Sequence, residues 1–118
     1  MLVADDRVNI SDGIASAPES LAGLLEVRGL GILKLCHVKQ SRLVLAVNLA
    51  CDAQRLPAPA RHAGFDLPLI TIDPALASAA IRVSRALDCA LGQVEQVAGA
   101  FAPDRAAPAA DIAGVLPA

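Results

Sequence analysis

Residues 43–49 read LVLAVNL, apolar at every position except Asn48. A strand with one wet face alternates apolar and polar side chains, whereas a strand covered on both faces reads as a near-continuous apolar run. A membrane helix needs about 20 apolar residues, so this run is far too short to be one. A strand buried on both sides needs a layer above and a layer below, which points to an α/β fold. Hydrophobic residues make up 55% of the chain and charged residues 19%, so a packed interior is within reach and overall disorder is not expected. A length of 118 residues leaves room for one domain or part of one.

The segments on either side fit this picture. Leu2-Val3-Ala4 is a short apolar burst ending in Asp5-Asp6, like the exit of a buried strand. Arg7 to Ile10 and Ile14 to Ser16 flank Ser11-Asp12-Gly13, and Asp-Gly between strand-like segments predicts a hairpin. Ser16 with Glu19 three residues on, and Pro18 between them, predicts a helix that buries Leu21, Leu24 and Leu25 and stops at Gly29. Leu30 to Val38 is too short an apolar run to assign by period. Pro57 and Pro59 mark a loop. Leu67 to Ile72 predicts a strand in which Pro68 has to sit at an edge or near the start. Asp73-Pro74 predicts the start of a longer helix, with Leu76, Ala80, Val83, Leu87, Leu91 and Val94 on its buried face and an end between Gly92 and Gly99. One domain over residues 1–98 is expected, and the Ala/Pro-rich residues 99–118 are expected to form a disordered tail.

Composition narrows the function. A formal charge of −2 and an aromatic content of 2%, with no Trp or Tyr, argue against a nucleic-acid surface. Cys36, Cys51 and Cys89 lack metal-ligand spacing and read as small buried residues in a reducing compartment. Charges at Asp5, Asp6 and Arg7 leave no secretory pattern, so a cytoplasmic protein without a membrane span is expected.

Three features invite chemistry. The adjacent carboxylates Asp5 and Asp6 follow a strand-like burst, where an open α/β sheet presents ligands. They suit magnesium binding or removal of a proton from an attacking hydroxyl, although two solvated acids at a turn would read the same. Glu26 falls in the last turn of the expected helix, where its charge opposes the helix dipole at a cost of roughly 0.3–1 kcal/mol. Arg28 beside it offers an ordinary ion-pair explanation. Gly29-Leu30-Gly31 is not a dinucleotide fingerprint, because a third glycine and a preceding strand are missing from the expected pattern. His37 and His62 carry no pattern of their own, and Arg82 and Arg85 read as a solvated helix face or an oligomer contact.

Taken together, LVADD at 2–6, Ala17-Pro18-Glu19 and LLEVRGLGIL at 24–33 resemble the HPr kinase/phosphorylase family. The family's LEIRGLGI signature corresponds to Leu25, Glu26, Val27, Arg28, Gly29, Leu30, Gly31 and Ile32, with Val27 in place of isoleucine. The resemblance covers residues 2 to about 56 and is similar to the short proteobacterial type. It implies an incomplete P-loop-kinase-like (phosphoenolpyruvate carboxykinase-like) sheet with flanking helices. It also implies an ATP-dependent kinase acting on a serine of the phosphocarrier HPr, and so regulating the sugar phosphotransferase system. Asp6 matches the family's acid/base, Glu26 its magnesium ligand with Asp5 beside it, and Arg55 its catalytic arginine. Mg2+ and ATP are the implied cofactors, HPr the implied partner, and a ring-like homo-hexamer the implied assembly.

The sequence also departs from the family. No G-x-x-x-x-G-K-S/T loop occurs in it, and the family's loop, its neighbouring strands and a catalytic histidine precede LVADD. Phosphate binding is therefore expected to be missing, the chain by itself inactive, and the apolar surface at Leu2–Ala4 and Leu43–Leu49 partly bare. Residues 67–74 contain no Arg or Lys where longer relatives carry a basic loop, which counts against phosphorolysis and the usual HPr docking. A non-catalytic regulatory or interaction module of the same fold, and an α/β subunit completed by another chain, are the competing readings.

Overall fold

The computed structural model describes residues 1–52 and 54–103. Over these the chain is mixed α/β, with small sheets and a single α-helix. It divides into two units, one spanning Met1–Leu43 and the other beginning at Val44.

In the first unit, β1 (Asn9–Ser11) and β2 (Ile14–Ser16) form an antiparallel hairpin with Ser11 opposite Ile14. Asp12 and Gly13 have φ of 51° and 74°, the paired positive values of the tight hairpin turn that Asp-Gly predicts. The expected helix from Ser16 to Gly29 is not there. Pro18 and Glu19 initiate only a 3-10 turn at Glu19–Leu21, and the chain then extends into β3 (Leu24–Val27). β3 pairs antiparallel with β4 (Gly31–Lys34), Glu26 lying opposite Ile32. The signature segment is thus a β-hairpin. Its turn closes with Leu30 N–H donating to the Val27 carbonyl at 2.9 Å. Gly29 occupies the third turn position at φ 80°, which glycine adopts without penalty, so it serves a hairpin turn and not the expected helix end. The β-branched pair Val27 and Ile32 favours this extended form. β5 (Gln40–Arg42) returns to the first hairpin and pairs with β2, making a three-stranded sheet of order β1-β2-β5.

Leu2–Ala4, expected as a strand exit, makes only a single parallel bridge, Leu2 to His37. One bridge with Val38 N–H on the Leu2 carbonyl (2.9 Å) gives too little pairing for a strand among the described residues. Ala15 is the buried hydrophobic residue of this unit; Leu30 and Ile32, at the tip of the second hairpin, are 70% and 71% exposed.

In the second unit, β6 (Ala46–Leu49) runs parallel to β8 (Leu67–Ile72), which is flanked on its other side by the short β7 (Arg61–His62). β8 is therefore central. Pro68 is accommodated because it is the second residue of β8 and precedes the span paired with β6, 69 to 72. Of the apolar run at 43–49 only Ala46–Leu49 is strand, at the edge of its sheet among the described residues: Leu45 and Val47 pack inward while Leu49 is 65% exposed. His62 holds the loop between β7 and β8, its Nδ1 accepting from the Gly64 and Phe65 amides at 3.2 Å, and its ring stacks on Phe65.

The helix α1 spans Ala79–Ala90, shorter at its start than expected. Asp73 does accept a bond from the Ala75 amide at 2.9 Å, but this caps a turn rather than the helix. The end is near the expected position, with Gly92 N–H on the Cys89 carbonyl and Gln93 N–H on that of Asp88. The buried face keeps Val83 of the expected stripe and otherwise departs from it. Ala79, Val83 and Ala86 meet Ile70 and Ile72, while Leu76, Leu87, Leu91 and Val94 remain 37–49% exposed. Ala100 and Phe101, from the segment read as a tail, pack against the same cluster. Residues 104–118 of that segment lie outside the described residues. Cys36 and Cys51 are exposed rather than buried, since each stands on connecting chain outside the small cores. No helix among the described residues is long and apolar enough to cross a membrane.

Candidate functional site

The alternation of an antiparallel ladder decides where the Glu26 amide points. Leu35 N–H donates to the Gly23 carbonyl at 2.7 Å, so Gly23 and Leu35 form a hydrogen-bonded pair. Two residues along, Leu25 and Leu33 form the next such pair, and Val27 and Gly31 the one after. Glu26 and Ile32 fall between them, and the Glu26 N–H is turned outward from β4. There it meets Asp5, whose Oδ2 accepts it at 3.0 Å. Two residues 21 apart in sequence are thereby joined at the outer edge of β3. The role of Glu26 as a charge opposing a helix dipole disappears with the helix.

Asp5, Asp6 and Glu26 are all exposed, and all belong to the first unit. Asp6 follows Asp5 directly at a bend. The acidic pair stands beside a two-stranded hairpin, not past the carboxyl end of a parallel strand as the sequence suggested. Arg28, Gly29 and Leu30 form the exposed turn of that hairpin, and Gly31 and Ile32 begin its return strand. Arg55 belongs to the second unit, exposed in the loop after β6. It lines a cavity there with Arg82 and Arg85, a grouping the sequence did not reveal because the loop and the helix are some 27–30 residues apart.

Among the described residues no three His, Cys, Asp or Glu side chains gather to hold a metal ion. A dedicated all-protein cage is therefore missing from them. Magnesium does not require one, since it keeps several waters and binds through one or two carboxylates plus substrate phosphate. Asp5 is anchored through one oxygen to the Glu26 backbone amide, which leaves its other oxygen outside that bond. Asp5 has a structural use as well, because a carboxylate on an outward N–H occupies part of an open strand edge.

No protein-family model matches this sequence, and a search of the curated proteins finds no match.

Proposed function

We propose that the chain is the acid-bearing portion of an ATP-dependent protein-serine kinase resembling HPr kinase/phosphorylase. In this reading a P-loop-kinase-like sheet is completed by residues outside this sequence, which would also bring the phosphate-binding loop. The observation that carries the reading is the bond from the Glu26 amide to Asp5, which ties the acidic pair to the signature glutamate. The LVADD and LEVRGLGI segments support it from the sequence side.

The roles follow from the chemistry of phosphoryl transfer, which needs positive charge on the transferring oxygens and a carboxylate near the nucleophile. Mg2+ bound with ATP supplies the first, and Asp5 and Glu26 are the residues that would hold it. Asp6 takes the proton from the serine hydroxyl of HPr and returns it when the reaction runs backwards. Arg55 keeps the part of catalytic arginine that the resemblance gives it. A cytoplasmic homo-oligomer belongs to the same reading.

The test is transfer of phosphate from ATP to HPr by the complete polypeptide carrying these residues. Asp6→Asn is expected to lower transfer by at least about 100-fold with nucleotide still bound. Undiminished turnover removes Asp6 from the role. The 118 residues alone are expected to bind ATP only weakly, because no G-x-x-x-x-G-K-S/T occurs in them, and micromolar affinity would contradict that. A non-catalytic module of the same fold is the second reading, favoured by the edge-covering use of Asp5. It predicts HPr binding without phosphate transfer even in the complete polypeptide.

A further inference from the structure

The second unit carries a wide-mouthed, solvent-open cavity of about 290 Å3. Its floor is the apolar cluster of that unit, Ile70, Ile72 and Ala86, with Phe101 against it. Three arginines line it as well, Arg55 from the loop after β6 and Arg82 and Arg85 from α1. Among the described residues no Asp or Glu lines the cavity.

The helix explains how the charges come to flank an apolar floor. Arg82 and Arg85 are three residues apart and so neighbours on the helix surface. Ala86, four residues from Arg82, faces the core, which sets Arg82 beside the buried face and Arg85 further round toward solvent. The wall formed by residues 96–101 is fixed by the Gln96 side chain, whose Oε1 accepts the Phe101 amide at 2.6 Å. Among the described residues one acid engages this trio, Asp88, at a long 3.5 Å from an Arg85 whose side chain is 70% exposed. Such a pair contributes little and yields readily to a better anion. Among the described residues, three cations against one acid make a local positive excess in a chain whose formal charge is −2.

We propose that this cavity binds a small phosphate monoester carrying an apolar body. The volume lies at the low end of small-molecule sites, which run from about 300 Å3 upward, so the ligand is metabolite-sized. A carboxylate offers one negative charge and a single fork of acceptors. A phosphate monoester offers close to two charges and three terminal oxygens, the better match for several guanidiniums arriving from a loop and a helix. The apolar floor takes the rest of the molecule. The inference shares Arg55 with the kinase reading but uses neither Asp6 nor Glu26 and requires no nucleoside triphosphate, and its test rests on Arg82 and Arg85.

Phenyl phosphate is the probe, titrated at low ionic strength into the 15N-labelled 118-residue chain, with inorganic phosphate, benzoate and phenol in parallel. Saturable shifts are expected at Ile70, Ile72 and Ala86, with a Kd below about 1 mM. Benzoate, phenol and inorganic phosphate are each expected to bind at least about tenfold more weakly. Arg82→Gln and Arg85→Gln, both on the exposed side of α1, are expected to leave far-UV circular dichroism unchanged and to weaken phenyl phosphate by about tenfold each. The absence of saturation at about 10 mM, shifts confined to other residues, or benzoate binding as tightly as phenyl phosphate would each overturn the proposal. Affinity unchanged in a folded Arg82→Gln/Arg85→Gln double variant would do the same. The wild-type comparison of ligands stands even where a variant misfolds.

Discussion

Removing the Asp5 carboxylate tests the geometry on which the candidate site is built. In the antiparallel register the Glu26 N–H faces away from β4, and its partner is Asp5 Oδ2 at 3.0 Å. An ionised acceptor strengthens a hydrogen bond, but both residues are exposed and water competes, so a net value of about 1 kcal/mol is appropriate. Dividing by RT of about 0.59 kcal/mol and exponentiating gives a roughly fivefold change in the opening equilibrium of that one amide. In Asp5→Ala, Glu26 amide exchange measured by NMR should therefore accelerate about fivefold. The amides of Leu25 and Val27, bonded within the hairpin, should change much less. Asp5→Asn keeps an acceptor without the charge and should fall between wild type and alanine. If Glu26 exchanges at the same rate in wild type and Asp5→Ala, Asp5 does not hold the edge of β3. The link between the acidic pair and the signature would then be lost.

Gly29→Ala should destabilise the first unit by about 1 kcal/mol, because φ 80° is strained for an L-residue while nothing lies within 4 Å of the added Cβ. In urea that corresponds to a midpoint lower by about 0.5–1 M, and Gly29→Asn, which tolerates the left-handed region, should lose less. Equal losses for alanine and asparagine would mean that the turn is not as described. In the second unit, Ile70→Ala should cost about 3 kcal/mol by opening a cavity between β8 and α1, whereas Leu49→Ala at 65% exposure should cost well under 1 kcal/mol. Urea or thermal denaturation of the pair checks this, and comparable losses would show that Leu49 is covered.

Some elements were legible because their cause is local. Asp12-Gly13 carries its turn in two adjacent residues, and the helix end at Gly92 and the early place of Pro68 in β8 likewise follow from backbone rules that need no distant partner. The segment 16–29 misled because a cap-like start, leucines at helical spacing and a terminal glycine describe a helix and a turn-plus-hairpin equally well. What separated them was the pairing of Leu24–Val27 with Gly31–Lys34, a contact that no window of local propensity contains. The leucine stripe of α1 failed in a related way. Spacing shows that a helix has an apolar side, but which arc is buried depends on the sheet it meets: Val83 of the expected stripe is packed together with Ala79 and Ala86, while Leu76, Leu87 and Leu91 stay exposed.

The candidate site divides along the same line. The sequence by itself determined which residues carry charge and where in the chain they stand: Asp5 and Asp6, Glu26 within LEVRGLGI, and arginines at 55, 82 and 85. Only the tertiary structure decided that Asp5 reaches Glu26 and that the three arginines share a cavity. The physical reason is that chemical identity is a property of each residue, whereas proximity across 20 or more positions is set by strand register and helix rotation. Those are fixed by the packing of the whole unit.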